Sequence, residues 1–322
     1  MKSLKLLGLS VLMAGTVAFN APAEAADDFV VTLLGTASPA PRPDRMGPST
    51  LVEVNGQRLL FDAGRGAPIR LWQLHIPVGS LDATFLTHFH SDHVNGLPDI
   101  WLTGWLGAPY ARRDGPFRLI GPVGTQALMN GLEQAYQGDI EIRKADEKLS
   151  PDTIKADVTE FDEPGVVWDK DGVKVTAFEN NHGEHIDPSV GYKVEYDGHS
   201  VVISGDTKPV QSVVDAARGT DLLIHEVAAA REPLMQIPNF QRVMGHHTTP
   251  EQAGEIFAEA KPKMAVFTHL VMLSNKDNPE PTVEDIVAGT RKHYDGPLVV
   301  GSDLMSFEIG DQGVAIVPHD IH

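Results

Sequence analysis

Short apolar runs recur along most of the chain, separated by polar turns. Val201-Val202-Ile203 and Met264-Ala265-Val266-Phe267 are apolar throughout, as expected of strands that are buried on both faces. Strands are predicted at residues 29–34, 49–54, 57–61, 81–86, 117–120, 173–178, 190–196, 200–203, 222–224, 264–267, 298–301, 306–309 and 314–317. Helices are predicted at residues 68–74, from 94 onward, and at 124–136, 210–217, 250–259 and 283–293.

The second half of this pattern repeats the layout of the first. Asn55-Gly56 and Asp197-Gly198 are typical hairpin turns between neighbouring strands. We therefore predict an α/β domain over residues 26–322, built as a four-layer αββα sandwich of two mixed sheets with helices outside each. Residues 138–171 are charged and irregular, and we expect them to wrap the surface or to form a small insertion.

Four metal-binding side chains fall within six residues of the Leu86–His93 stretch: His88, His90, Asp92 and His93. Side chains two apart on an extended backbone point the same way, so His88 and His90 can reach one point together. Asp92 and His93 follow where a helix should begin, so we expect them to face a second point nearby. Imidazole and carboxylate groups together suit zinc and other first-row divalent ions.

Three distant segments offer further ligands. Asp206 and His269 each follow a predicted buried strand, and a loop after the 173–178 strand offers either His182 or His185. Seven groups suffice for two metal ions, with Asp206 as the bridge between them. Two ions about 3.5 Å apart can share a hydroxide and hold both the attacking and the leaving oxygen. We expect two Zn²⁺ ions, with Mn²⁺ or Fe²⁺ as other candidates.

Other polar and aromatic residues have two interpretations each. Asp62 either orients a ligand histidine or caps the helix at 68–74. Trp101 and Trp105 lie four apart, and we favour the protein core over a substrate wall. Arg112 and Arg113 either grip an anion or, as we favour, are solvated surface charges.

The first 25 residues have the pattern of a secretory leader. Lys2 and Lys5 precede an apolar stretch at 6–19, and Ala23-Glu24-Ala25 is a small-x-small cleavage site. Export to the periplasm or beyond is therefore expected, without a membrane anchor in the mature chain.

Cleavage would leave 24 Lys and Arg against 43 Asp and Glu, a net charge of −19. Such a charge repels polyanions at long range, which makes a nucleic-acid partner unlikely by this argument. The chain has no cysteine, so its metals must be held by histidine and carboxylate alone.

These motifs together resemble the metallo-β-lactamase superfamily from about residue 29 to the C-terminus. The resemblance is closest to its ribonuclease Z-like branch, and there to secreted arylsulfatase-type members, and it favours His182 over His185. In that branch a histidine assists the leaving group and a glutamate orients it, and these match His247 and, less closely, Glu226. The segments that carry the branch resemblance are Leu33-Leu34-Gly35-Thr36, Gly47-Pro48-Ser49-Thr50, Leu60-Phe61-Asp62-Ala63-Gly64, His182-Gly183, Gly191-Tyr192, His225-Glu226 and His246-His247-Thr248-Thr249.

The resemblance implies a specific ligand set and reaction. One metal would take His88, His90 and His182, the other Asp92, His93 and His269, with Asp206 shared. We expect an exported zinc hydrolase of small aryl sulfate esters, with a homodimer as a candidate assembly. In this reaction Asp92 would orient a hydroxide and His247 would donate a proton. Glu226 would position His247. Alternatives are a phosphodiesterase, a lactonase or β-lactamase, and a metal-binding protein without turnover.

Ribonuclease Z enzymes carry a protruding arm that grips tRNA. No basic Gly-Pro-rich arm is visible here, which argues against tRNA maturation.

Overall fold

The computed structural model describes residues 29–110 and 113–318, so the predicted leader at 1–25 lies outside the described residues. The strands are β1 (Phe29–Gly35), β2 (Ser49–Val54), β3 (Gln57–Phe61), β4 (Ala83–Phe85), β5 (Phe117–Pro122), β6 (Ala156–Phe161), β7 (Gly165–Lys170), β8 (Val173–Glu179), β9 (Val190–Tyr196), β10 (His199–Ile203), β11 (Leu222–Ala230), β12 (Met264–Leu273), β13 (Leu298–Val300), β14 (Ser306–Gly310) and β15 (Gly313–Val317). The helices are α1 (Ala67–Gln73), α2 (Ser91–Val94), α3 (Leu97–Thr103), α4 (Thr125–Asp146), α5 (Gln211–Ala217), α6 (Pro238–Met244), α7 (Pro250–Ala260) and α8 (Val283–Thr290).

Two mixed sheets pack face to face, as predicted. The strand order is β15-β14-β1-β2-β3-β4-β5-β6 in the first sheet and β13-β12-β11-β10-β9-β8-β7 in the second. Both predicted hairpin turns are present. Asn55 and Gly56 have φ values of 46° and 70°, and Asp197 and Gly198 have 45° and 80°. Two positive φ angles in succession match the twist of the strands that these turns join.

Alternation along the strands divides the apolar residues between the two faces of each sheet. In β3, Leu59 and Phe61 belong to the core between the sheets, whereas Leu60 faces the core under the helices. In β10, Val201 faces the other sheet and Val202 faces the outer helices. Burial on both faces explains the uninterrupted apolar runs in the sequence. The four-layer αββα prediction is confirmed.

The segment 138–171 is not an irregular insertion. Helix α4 continues to Asp146, β6 forms one edge of the first sheet, and β7 forms one edge of the second. The indole N–H groups of Trp101 and Trp105 donate to the carbonyls of Ile154 and Ser150 at 2.7 and 3.0 Å and hold the connection against the core. Edge strands expose one face and tolerate charge there, so their pattern is weak in the sequence.

Both tryptophans are fully buried, which confirms the interpretation as core, although Trp105 lies beyond the end of α3. Arg113 contradicts the expectation of a solvated charge. Its side chain is buried, Nη2 donates to the Trp101 carbonyl at 2.7 Å, and burial lowers the pKa of its guanidinium to about 10. Arg112 lies outside the described residues. None of the helices described here is long and apolar enough to span a bilayer.

Candidate metal centre

The turn between β4 and α2 brings the first histidines together. His88 is buried, and its Nε2 lies 3.0 Å from Nδ1 of His90. His182, on the loop after β8, places its Nε2 3.1 Å from the same His90 nitrogen. With Asp206, these side chains offer four ligand atoms that all lie within 4.8 Å of one another. The structure thus favours His182 over His185, which is exposed at the mouth of the site.

A second group of ligand atoms, from Asp92, His93 and His269, lies beside the first. Nε2 of His269 is 3.3 Å from Oδ2 of Asp92. Oδ2 of Asp206 is 3.2 Å from Nε2 of His269, 3.4 Å from Nε2 of His93 and 3.6 Å from Nε2 of His182. Asp206 therefore lies between the two groups, which is the position predicted for a bridging carboxylate.

His269 reaches the centre through a bulge in β12. On the neighbouring strand β11, Glu226 pairs with Thr268 and Val227 pairs with Leu270, so His269 is the extra residue, and its φ is 43°. A bulge of this kind turns one side chain out of the alternating pattern. The sequence predicted a strand that ended before His269. The observed strand continues to Leu273, and the bulge directs the imidazole to the centre.

In three of these histidines, Nδ1 lies within hydrogen-bond distance of another protein group. Nδ1 of His93 lies 2.7 Å from Oδ2 of Asp62, and Nδ1 of His88 lies 2.9 Å from Oγ1 of Thr87. Asp62 also accepts hydrogen bonds from the N–H and hydroxyl of Thr87, both at 2.8 Å. His182 Nδ1 is 2.9 Å from the His246 carbonyl. Asp62 therefore orients a histidine and does not cap α1, whose N-terminus has no side-chain cap.

These contacts fit a metal site. Metal-binding histidines in proteins commonly use one nitrogen for the ion and the other for a carboxylate or carbonyl. Here the other nitrogen of His93, Nε2, is buried among the ligand atoms and lies 3.4 Å from Oδ2 of Asp206. The sequence analysis assigned no role to Thr87, although its place beside His88 marked it as a candidate support.

Charge and burial prepare several of these groups for metal binding. Burial lowers the pKa of His88 well below its usual value and that of His182 to about 4, so both are neutral near pH 7. Burial alone would raise the pKa of the Asp206 carboxyl, but the charges of His269 and His93 hold it well below its usual range. Neutral imidazole and ionised carboxylate are the forms that bind metal ions.

His247 lies at the edge of this centre. Its Nδ1 is 3.2 Å from Oε1 of Glu226, and the same oxygen accepts the backbone N–H groups of Thr207 and Thr248 at 3.2 and 3.0 Å. Burial lowers the pKa of His247, but the Glu226 charge outweighs this effect and raises it to about 9. The imidazolium is therefore the main form near neutral pH. Glu226 contacts His247 as the sequence analysis expected, from a position inside β11.

The ligands open on a pocket of about 430 Å³ at the end of the second sheet. Its lining consists of Pro39, His90, Asp92, His182, His185, Ile186, Asp206, Arg242, Val243, His246, His247 and His269. Paired ligand groups with a protonated histidine beside an open pocket can activate water and protonate a leaving group. The fold and this arrangement together define a metal-dependent hydrolase with the metallo-β-lactamase fold.

Comparisons with known proteins agree with this class. The family described as "Beta-lactamase superfamily domain" matches residues 57–270. A ribonuclease Z of Mycobacterium marinum is 37% identical over 284 residues, which cover 87% of this chain and 98% of the relative. One from Mycobacterium avium is 37% identical over 283 residues, with the same two coverages. The chain therefore belongs to the β-lactamase superfamily, among the homologues of ribonuclease Z.

Solved structures show the same fold. The metallo-β-lactamase fold protein YhfI of Bacillus subtilis has a TM-score of 0.64 at 19% identity, covering 88% of this chain and all of its own. Human tRNase Z, short form, has a TM-score of 0.61 at 23% identity, covering 86% of this chain and 98% of its own.

Two expectations from the sequence are wrong. Aryl sulfate esters and other small esters were the expected substrates and nucleic acid an unlikely partner, whereas the relatives that match over nearly their whole length are named ribonuclease Z. The physical error was to judge a local binding surface from net charge, which acts over longer distances. Absence of an arm was also weak evidence, because the chain covers 98% of a relative with that name. The arylsulfatase-type branch finds no support.

Proposed function

We propose that this protein is a zinc-dependent phosphodiesterase that hydrolyses RNA, in the manner of a ribonuclease Z. The observation that carries the proposal is the match to ribonuclease Z over 98% of the relative. The clustering of seven candidate ligand residues, five of which line one pocket, supports it. A two-metal site also suits the tetrahedral phosphoryl group, because it can clamp both the attacking and the leaving oxygen.

The proposed ligands would divide between two zinc ions, with Asp206 lying between the two groups of ligand atoms. His88, His90 and His182 would hold one ion, and Asp92, His93 and His269 the other. Two zinc ions bound there supply positive charge for the phosphoryl oxygens and lower the pKa of water. Because Oδ2 of Asp92 lies 3.3 Å from Nε2 of His269, its carboxylate faces the centre and can orient the attacking water.

His247 is the proposed general acid. Its Nδ1 contacts Glu226, which leaves Nε2 to donate a proton to the departing ribose oxygen. Glu226 is a positioning residue, because it reaches the reaction only through His247 and the backbone groups of Thr207 and Thr248. A ribose alkoxide is a poor leaving group, so protonation is important for RNA.

The proposal is tested with metal-loaded protein and a panel of RNAs: a tRNA precursor with a 3′ extension, an unstructured RNA and bis(4-nitrophenyl) phosphate. We expect cleavage of the precursor, loss of activity on chelation, and recovery with Zn²⁺. Asp206→Ala is the blank, and its circular dichroism spectrum checks that it folds. A metal-replete wild type that cleaves no RNA would refute the proposal.

We also propose that residues 1–25 are a leader that is removed near Ala25. The charged start, the apolar stretch at 6–19 and the Ala23-Glu24-Ala25 site support this. Under this proposal the enzyme meets its RNA outside the cytoplasm.

A further inference from the structure

Basic side chains lie in the wall of the metal pocket and on the loop next to it. Arg242, on α6, and His246 both line the pocket. Lys208 is half-buried on the loop that carries Asp206. Besides burial and the neighbouring His247, the positive charges of Arg242 and Lys208 lower the pKa of His246.

Among the residues that the structure describes, no carboxylate pairs with Arg242 or Lys208. Within residues 29–110 and 113–318, the contact of the Arg242 guanidinium is a hydrogen bond from Nη2 to Oδ1 of Asn239 at 2.8 Å, and Lys208 Nζ has no ion-pair partner. Other arginines on the same side of the molecule differ. Arg231 pairs with Asp285 at 2.8 Å, and Arg42 pairs with Glu280 at 2.8 Å. In a chain of net charge −18, unpaired cations at the mouth of a pocket indicate an anionic ligand.

Both segments are tied to the metal ligands through the backbone. The N–H of Lys208 donates to the Asn181 carbonyl at 2.7 Å, one residue before His182. The carbonyl of His246 lies 2.9 Å from Nδ1 of His182. The backbone at Lys208 and at His246 is therefore held against the loop that carries His182. Ile186 and Val243 lie beside them in the pocket wall and offer an apolar surface to a nucleobase.

We propose that Arg242 and Lys208 bind a backbone phosphate of the RNA strand next to the phosphate that is cleaved. The inference rests on the proposed function and extends it to a subsite. A guanidinium can bind a phosphate with two parallel hydrogen bonds, and an ammonium adds a point charge. The subsite would hold the strand beside the pocket in a protein whose net charge of −18 repels polyanions at long range.

The test compares Arg242→Gln/Lys208→Gln with a control pair, Arg218→Gln/Lys144→Gln. The control removes the same charge from residues that pair with acids, Arg218 with Asp215 at 3.1 Å and Lys144 with Glu141 at 2.9 Å. Three quantities are measured on zinc-loaded protein. These are the kinetics with a short RNA, the turnover of bis(4-nitrophenyl) phosphate, and the anisotropy of a labelled phosphorothioate RNA that resists cleavage.

For the Arg242/Lys208 variant we expect KM for RNA and Kd for the phosphorothioate strand to rise about tenfold, because charge-assisted hydrogen bonds are lost. The slope of log Kd against log salt should fall by about 0.7, the contribution of one phosphate on a single strand. The kcat on RNA and the turnover of bis(4-nitrophenyl) phosphate should stay within twofold, as should all values for the control pair.

Several results would overturn the subsite: unchanged RNA affinity and salt slope, an equal loss in the control pair, or an equal loss on bis(4-nitrophenyl) phosphate. A different result identifies failure of the proposed function. If the wild type leaves RNA intact but its binding of the phosphorothioate strand still depends on both residues, the phosphate site stands as an RNA contact and the ribonuclease activity does not.

Discussion

Replacing Asp62 by Asn should weaken metal binding without strain in the backbone. Asp62 has a φ of 58°, and Asn is among the few residues that accept this left-handed conformation readily. The change keeps one acceptor for the Thr87 N–H. The other oxygen becomes an NH₂ group, which faces Nδ1 of His93 and Oγ1 of Thr87, at 2.7 and 2.8 Å in the native protein. The new NH₂ group and the N–H at Nδ1 of His93 are both donors, so they cannot form a hydrogen bond. The His93 ring is then no longer held in the tautomer that offers Nε2 to a metal.

The expected loss follows from these contacts. Substitution of a group that orients a metal-binding histidine typically lowers affinity by about 10–100-fold, or about 1.4–2.7 kcal/mol. Because Asp62 contacts His93 directly and His88 only through Thr87, the ion proposed to be held by Asp92, His93 and His269 should be lost first. Zinc content after dialysis against buffers of graded free zinc measures both affinities.

Asp82→Asn is the matched control. Oδ2 of Asp82 accepts the Arg58 N–H at 2.9 Å, at the far end of β3 from the centre, so the substitution also replaces a hydrogen-bonded carboxylate. Zinc affinity in this variant should match the wild type. If Asp62→Asn keeps both affinities within twofold of Asp82→Asn, the orienting role of Asp62 is refuted.

The other predictions concern catalysis, stability and processing. His247→Ala should lower kcat on RNA by about 10²–10⁴-fold but change nitrophenyl phosphate turnover far less, since nitrophenolate leaves without a proton; equal losses on both substrates would contradict the acid role. With a pKa raised to about 9 by Glu226, His247 is protonated below that pH, so RNA cleavage should decline as pH rises through it, and Glu226→Gln should move this decline to lower pH. The hydrogen bonds of Asp221 to Lys263 and Ser200 outweigh the effect of burial and lower its pKa. Its ionised form therefore stabilises the fold above the usual aspartate pKa, and this stability is lost as pH falls through the lowered value. Asp221→Asn should cost about 1.5–3 kcal/mol at pH 7 and less near pH 3, as denaturant melts at both pH values will show. N-terminal sequencing of the protein from separated cell fractions should find a start after Ala25, and a cytoplasmic product beginning at Met1 would disprove the leader.

The local sequence pattern was sufficient to predict those parts of the fold whose geometry depends on neighbouring residues. The sandwich followed from apolar runs and hairpin turns, since burial on both faces requires such runs. His88 and His90 were correctly placed together because two residues on an extended backbone share a direction. Asp206 was placed by a different local signal, because it follows a wholly apolar strand, and it lies just beyond the end of β10.

The failures concern features that depend on partners distant in the chain. Arg113 has a charge like that of any surface arginine, and its burial depends on the Trp101 carbonyl that it meets. Charged residues interrupt the sequences of β6 and β7, so only pairing with neighbouring strands identified residues 156–161 and 165–170 as sheet edges. Substrate class was misjudged because net charge averages over the whole surface.

From the sequence alone came the candidate ligands and the sandwich that carries them, since each is encoded within a few neighbouring residues. Tertiary structure decided how these ligands meet. His269 enters through a bulge that exists only where β12 pairs with β11, and Asp62 orients His93 from a strand end 31 residues away. The proposed role of Arg242 likewise depends on its place in the wall of the metal pocket, which only the tertiary structure shows. Directions of side chains and local charge depend on contacts across the fold, and no window of sequence contains those contacts.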